Sequence, residues 1–387
     1  MDLHRLTPEQ LRARRTQKWS FYPPDILPMW VAEMDYPLAP PVAAALRRAV
    51  DAEVVGYPSA RQLDELAAEF VAWQARTHGW SIAPDSVHAV PDVMAGVSLA
   101  VRYFSGPSDP VVIPTPVYMP FFDVIALTGR PIIRVPMAWD GARHTLDLSA
   151  IDAALAAGGR TVLISSPHNP LGRVYSRDEL AALAAVVERH GARVVSDEIH
   201  SPLVFETPHI PYAAVSPAAA AHSITVTSAS KAWNVPGLRC AQVVTTAPGE
   251  SDAWRAIPYW EKVGVATMGI EAGIAAFRDG DPWREEVVAT LAEHRTLVAD
   301  AVASMPGITT LPNEGTYLQW LDCTELALDV EPTDFFLAET KVAINPGVPF
   351  GAPAHRFGRL NFATTRPLLQ QGLERIAAAV SARYARG

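Results

Sequence analysis

Lysine is scarce in this 387-residue chain: of 32 basic residues only Lys18, Lys231, Lys262 and Lys341 are not arginine. Cysteine is scarcer still. Cys240 and Cys323 are too few for a disulfide framework and form no metal-ligand cluster, so no metal is expected and a reducing cytoplasm is the expected compartment. A basic stripe is also missing, and the net charge of −9 argues against nucleic acid as a partner. No uncharged apolar run approaches the length of about 20 residues that spans a bilayer. The opening Met1-Asp2-Leu3-His4-Arg5 lacks the apolar core of a signal peptide. The expectation is a soluble protein with neither membrane nor nucleic acid among its partners. What is present is a packed globular composition, 49% hydrophobic and 19% charged, at a length that suits two domains or one large and one small.

Short apolar runs alternate with helical patterns through the middle of the chain, which predicts a mostly parallel α/β sheet. The runs are Val111–Ile113, ending at Pro114, then Pro131–Val135, Thr161–Ile164, Arg193–Val195 and Ile224–Val226. Between the third and fourth, Ser176 and Glu179 form a capping box, Leu180, Leu183 and Val187 mark one helix face, and Gly191 follows its end. Beyond about residue 280 the pattern changes. Asp281-Pro282 opens a long amphipathic helix, strand-like segments follow at Thr316–Leu321, Val342–Ile344 and Arg359–Phe362, and a helix runs from Arg366. The expected organisation is an amino-terminal arm (residues 1–45) packing with the small domain, a large domain (46–280) and a small α+β domain (281–387). The arm opens on a capped helix at Thr7, Pro8 and Gln10 and turns proline-rich from Tyr22 to Pro41.

In a chain so rich in arginine, Lys231 invites a chemical explanation. It closes Thr227-Ser228-Ala229-Ser230-Lys231, directly after a predicted strand, with Arg239 shortly beyond. Arginine cannot act as an amine nucleophile, whereas a desolvated lysine loses its proton, attacks a carbonyl and forms a Schiff base. The hydroxyls of Ser228 and Ser230 and the guanidinium of Arg239 suit a phosphate beside that amine. Together they suggest a pyridoxal phosphate site. The plain alternative is a surface lysine after a strand, with serines making a turn.

Two other predicted strand ends carry polar clusters where open α/β sheets bind ligands, Ser165-Ser166-Pro167-His168-Asn169-Pro170 and Ser196-Asp197-Glu198-Ile199-His200. A pyridine ring works as an electron sink when a carboxylate keeps its nitrogen protonated, and Asp197 suits that role. Asn169 and His200 can donate to a phenolic oxygen, and Tyr118 can pack on the ring from the loop after another strand. Singly, each has an ordinary alternative: Asp197 and His200 as helix caps, Asn169-Pro170 as a turn, Tyr118 as core. Four such clusters on four strand ends are hard to explain by structure alone.

These segments resemble the fold-type I pyridoxal phosphate enzymes of the class I/II aminotransferase-like group, and within it the cystathionine β-lyase (carbon–sulfur lyase) branch that includes MalY and PatB. The resemblance runs through Met29-Trp30-Val31-Ala32-Glu33-Met34-Asp35, Gly56-Tyr57-Pro58, Pro116–Phe121, Pro167–Val174, Ser196–His200, Ser230–Asn234, Glu314–Tyr317 and Arg359–Phe362. It implies that Lys231 carries the cofactor, Asp197 pairs with its ring nitrogen, Asn169 and His200 lie near its phenolic oxygen and Tyr118 stacks on the ring. It implies further that Ser228, Ser230, Arg239 and the backbone amides around Val93 and Met94 hold the phosphate, joined by Tyr57 from the neighbouring subunit of a homodimer. Arg359 is implied to bind the substrate α-carboxylate, with Asn169 and Trp30 beside it; the alternative for Arg359 is a structural ion pair. The sequence departs from the pattern where Glu33 and Tyr36 stand in place of Asp and Phe, and where Cys240-Ala241 follows Arg239. The expected activity is β-elimination from an L-amino acid with a thioether at Cβ. An aminotransferase using the same residues is the alternative, and a regulatory contact with another protein is a third reading.

Overall fold

A computed structural model describes residues 2–384. Its larger sheet has seven strands: β1 (Val87–Val90), β2 (Val111–Thr115), β3 (Ile132–Pro136), β4 (Thr161–Ser165), β5 (Arg193–Asp197), β6 (Ser223–Thr227) and β7 (Ala241–Thr245). Their order is β1-β7-β6-β5-β4-β2-β3. From β6 to β3 the neighbours are parallel, while β7 runs antiparallel to both β6 and β1. Every residue of β2, β4 and β6 is buried, as a parallel sheet covered on both faces requires. The chain leaves β2 for β3 and returns on the other side to β4, so the strand order reverses between β2 and β4. Open α/β sheets bind ligands at the carboxyl ends of strands beside such a reversal.

Five of these strands coincide with the apolar runs. The other two, β1 and β7, were not anticipated: Val-His-Ala-Val is short and only half-buried, and β7 returns without a crossover helix to mark it. Pro114 does not end β2 but lies within it. Pairing of β2 with β4 stops at Val112, so the missing N–H at Pro114 breaks no bond on that side.

Helices cover the sheet. They include α1 (Ala60–His78), α2 (Val93–Phe104), α3 (Arg177–Arg189) and α4 (Thr267–Asp279). The capping box of α3 is formed, with the Ser176 side chain accepting from Glu179 N and the Glu179 side chain accepting from Ser176 N. Gly191 at φ 55° turns the chain away after its end. The smaller sheet has β8 (Thr309–Thr310), β9 (Leu318–Asp322), β10 (Asn345–Pro346) and β11 (Phe357–Asn361) in the order β8-β9-β11-β10, all antiparallel. Helices α5 (Asp281–Ala303) and α6 (Arg366–Tyr384) pack with it. Strand pairing starts after the turn at Thr316, so β9 begins at Leu318, and Val342–Ala343 pairs with Leu27–Pro28 of the arm.

Buried charge holds the arm in its own fold. Lys18 Nζ lies 2.7 Å from Asp35 Oδ2, with the side chains 1% and 3% exposed. Trp19 Nε1 donates to Asp35 Oδ1 at 2.7 Å, and Lys18 Nζ also reaches the Glu33 carbonyl at 3.1 Å. Breaking such a pair from one side strands the other charge in the core. Lys18→Ala is therefore expected to lower the unfolding free energy by about 3–5 kcal/mol. Lys18→Met combined with Asp35→Asn, which removes both charges, is expected to cost less. Urea denaturation of the three proteins checks this; equal loss in the single and double variants would show that charge burial is not what holds the arm in its fold.

Candidate active site

The polar ends of β4, β5 and β6, the loop after β2 and the start of α2 surround one cavity of about 270 Å³. Ala32, Asp92, Val93, Met94, Tyr118, Asn169, Asp197, His200, Ser228, Ser230, Lys231 and Arg239 all line it. Their convergence follows from topology, because neighbouring parallel strands deliver consecutive loops to one edge.

The lysine points inward from the loop after β6, and its Nζ donates to the Ala32 carbonyl at 2.9 Å. Burial, aided by the Arg359 charge, pushes its pKa down to about 8, against the opposing pull of Glu33 and Asp197. Asp197 closes β5 and is 3% exposed. Burial pushes its carboxyl up to about 7; the N–H of Ile199, donating at 3.1 Å, lowers it, and the charge of Glu198 adds to the rise. His200, equally buried, is driven down to about 3 by burial and then by Lys231 and Arg359, and its Nδ1 has no partner. Tyr118 is raised by burial and by Asp197.

Across the cavity, Asp92 caps α2 by accepting from Ala95 N at 2.8 Å, leaving the amides of Val93 and Met94 at a helix start that favours anions. Arg239, in the left-handed region at φ 51°, lies 2.7 Å from Asp92 Oδ2 and is largely exposed. Ser228 Oγ donates to the Cys240 carbonyl at 2.7 Å and accepts from Ser230 N at 3.0 Å, which shapes the turn into Lys231.

Arg359 sits in β11, 3% exposed. Its Nη1 donates to Asn169 Oδ1 at 3.1 Å, and its Nη2 donates to Asn345 Oδ1 at 2.7 Å and the Trp30 carbonyl at 3.2 Å. Phe350 lies under the guanidinium at 4.8 Å, and Nε has no partner. Among the described residues it forms no ion pair. Burial pushes even this guanidinium down to about 10.

Three expected residues fall outside the cavity lining. Arg359 adjoins it through its bond to Asn169. Tyr57 is 95% exposed and borders a separate surface depression with Val55 and Met268. Trp30 meets Arg359 through its carbonyl, while its ring packs with Phe21 and Tyr22 at 4.9 and 5.7 Å. Other participants were not anticipated. Asp92 carried a readable signal, a capping aspartate before an apolar helix. The Ala32 carbonyl, which also accepts from Tyr317 Oη at 2.9 Å, offers no side-chain signal at all, and Asn345 reads only as a turn residue.

The aminotransferase class I and II family model matches residues 24–376. A cystathionine β-lyase of Corynebacterium glutamicum is 36% identical over 95% of this chain and 98% of its own length. The cystathionine β-lyase PatB of Bacillus subtilis is 33% identical over 92% and 93%. Among solved structures, a putative PLP-dependent β-cystathionase from Corynebacterium diphtheriae superposes with a TM-score of 0.93 at 36% identity, covering 98% of this chain and 99% of that one.

The buried histidines set an acid limit to stability. Burial pushes folded His200 and His78 down to about 3 and His168 and His88 down to about 4, below the unfolded value of about 6.5. The unfolded chain therefore binds more protons as pH falls, so this stability is full above about pH 6.5 and drains as pH approaches 3–4. His222 and His294, each pushed down to about 4, add to this, while Asp197, raised to about 7, and Glu250, raised by burial, work the other way. The melting temperature of cofactor-free protein is expected to drop between pH 7.5 and 5.5; a rise on acidification would show that these imidazoles are charged in the fold.

Proposed function

This chain belongs to the aminotransferase class I and II family, and from that premise we propose that it is a pyridoxal-phosphate-dependent carbon–sulfur β-lyase acting on L-cystathionine or a related S-substituted cysteine. The observation that carries the reading is the convergence, on one cavity edge, of an inward lysine amine and a buried carboxylate, with a buried arginine that has no carboxylate partner adjoining them. Kinship with proteins named cystathionine β-lyase directs the choice within the family.

The residues fit pyridoxal phosphate. A buried carboxylate with no cation bound to it among the described residues suits a protonated ring nitrogen, and His200 Nδ1, without a partner among them, suits a polar group of the ligand. The amides at the start of α2, with Ser228, Ser230 and Arg239, would hold the phosphate; Tyr118 would cover the ring, Asn169 and His200 would meet its phenolic oxygen, and Lys231 would anchor its aldehyde carbon. When bound, the cofactor supplies an electron sink that acidifies the substrate Cα–H.

The chain's own residues then divide the work. Arg359 orients the α-carboxylate, with Asn169, Asn345 and the Trp30 carbonyl fixing the plane of its guanidinium. Lys231 takes the Cα proton, and an amine lowered to about 8 has a useful neutral fraction near neutral pH. Asp197 holds the proton on the ring nitrogen. The Cβ–S bond breaks with its electron pair leaving on sulfur, which departs as thiol after protonation. With one water consumed, the remaining carbon skeleton becomes pyruvate and the amine nitrogen becomes ammonia.

Tyr57 cannot serve the cavity of its own chain from so exposed a position, and the active unit we propose is a homodimer in which it completes the partner's site. The exposed Val55, Tyr57, Tyr259 and Trp260 support such a contact. Two free cysteines support a cytoplasmic location.

L-Cystathionine is expected to give pyruvate, ammonia and homocysteine with no added keto acid. Absent thiol release across a panel of thioethers, with brisk amino transfer to 2-oxoglutarate, would replace this reading by the aminotransferase one. Asp197→Asn is expected to retain cofactor and lose roughly a hundredfold or more in turnover; near-normal rates would leave Asp197 as a turn residue. Tyr57→Ala mixed with Lys231→Ala should regenerate activity in hybrid dimers, since one hybrid site keeps both native residues. Demonstrated hybrids without activity would place Tyr57 outside the partner's site.

A further inference from the structure

A second carboxylate lies directly behind Asp197. The Glu198 side chain is 2% exposed and points away from the cavity. Its Oε1 accepts from Ser196 Oγ and Tyr212 N, both at 2.9 Å, and its Oε2 accepts from His209 Nε2 at 3.1 Å. The backbone is pinned as well, with Glu198 N donating to the Val226 carbonyl at 2.8 Å and Thr227 Oγ1 donating to the Glu198 carbonyl at 3.1 Å. Three donors favour an ionised carboxylate in a place where burial opposes it. Among the described residues no lysine or arginine pairs with it.

The groups around the two acids are few. Asp197 is felt by Lys231 and Tyr118 on the cavity side. Behind Glu198 stands His209, 1% exposed, whose ring meets His78 edge-on at 5.1 Å, and Arg284 acts on His78 from beyond. The buried carboxylate one residue from Asp197 therefore has no lysine or arginine against it among the described residues, and its charge adds to the rise of the Asp197 carboxyl.

We propose that Glu198 acts through Asp197 as an electrostatic positioning residue: its buried carboxylate, held by hydrogen bonds from Ser196, Tyr212 and His209, strengthens the hold of Asp197 on the ring-nitrogen proton of the cofactor. This rests on the reading of Asp197 given above. The physics is that of a like charge nearby, which makes its neighbour a better proton acceptor. Two acids in succession thus have separate tasks, one facing the ring and the other supplying field from within the core.

E198Q keeps the shape and removes the charge. In holoenzyme loaded with ring-¹⁵N cofactor, the nitrogen resonance of E198Q is expected to move toward the unprotonated position. The proton should be lost at a pH lower by on the order of one unit, with cofactor content retained. In cofactor-free protein with ¹³C-labelled aspartate, the Asp197 carboxyl is expected to titrate lower by a similar amount. Asp197→Asn is the control. If it leaves the nitrogen resonance unmoved, the Asp197 assignment itself fails. If it moves the resonance while E198Q does not, only the role of Glu198 is overturned, because a merely structural role would alter melting or cofactor content and not the resonance. Should E198Q fail to fold, E198M removes the same charge at a similar side-chain length. It is expected to shift the resonance in the same direction, and an unmoved resonance there overturns the proposal equally.

Discussion

The carbonyl of Ala32 is the joint on which the site depends. It accepts from Lys231 Nζ and from Tyr317 Oη, both at 2.9 Å, so the amino-terminal arm, the loop after β6 and the turn before β9 meet at one oxygen. The segment around it is stitched on both sides. Met29 N donates to the Ala343 carbonyl, Asn361 Nδ2 donates to the carbonyls of Val31 and Glu33, and Asp35 N donates to the Ala363 carbonyl. Asn234, three residues after the lysine, accepts from Met34 N and donates to its carbonyl. A stretch that contributes almost no side chain to the cavity therefore fixes where the lysine points. The buried Lys18–Asp35 pair secures the far end of the same stretch.

The electrostatics around this joint are deliberately incomplete in a physical sense. Lys231, Asp197, His200 and Arg359 crowd one region, yet no two of them form an ion pair. Burial alone would drive each toward its neutral form, and the shifts run in that direction: lysine, histidine and arginine down, aspartate up. A core built for stability would pair such groups or replace them with apolar ones. Leaving them unpaired leaves interaction energy for a ligand that brings its own charges; under the proposed function these would be an anion for Arg359, a protonated nitrogen for Asp197 and a carbonyl carbon for the amine. The orphaned His200 Nδ1 and Arg359 Nε mark the same unfinished valence.

Much of this was readable in the sequence, for reasons that can be stated residue by residue. β2, β4, β5 and β6 announced themselves because a strand buried on both faces is largely apolar, while the edge strand β3 is only partly buried and showed through its Ile and Val residues. The polar clusters stood out because they interrupt those runs at fixed ends. Lys231 was visible against an arginine-rich background. Strands β1 and β7 were harder, one for its brevity and the other for want of a crossover. Pro114 misled because a proline is tolerated inside a strand wherever the neighbouring ladder has already ended, and that depends on β4, distant in sequence. The Ala32 carbonyl and the Asn345 contact left no trace, since backbone acceptors look the same at every residue and a lone Asn reads as a turn. Trp30, expected beside Arg359, meets it through its backbone carbonyl, a contact that residue type alone does not announce.

The loop between β4 and α3 shows how the two sheets are held to one geometry. Asn169, at its start, accepts from Arg359 of the small sheet. At its end, Arg173 is buried between Glu314 and Glu179, and the Gly172 carbonyl accepts from Glu314 N at 2.8 Å. Gly172 itself has φ 68°, and a Cβ there would come within 2.6 Å of the Asn313 side chain, so both conformation and contact demand glycine. His168 closes the loop from within, bonded to the Pro116 carbonyl and to Tyr175 Oη at 2.7 Å each. The arginine that would orient a carboxylate and the lysine that would move a proton stand on different sheets, and independent motion of the two would ruin their alignment. Bracing the Asn169 loop to both sheets removes that freedom before any substrate arrives, which is where much of the entropic cost of a well-aligned reaction is met.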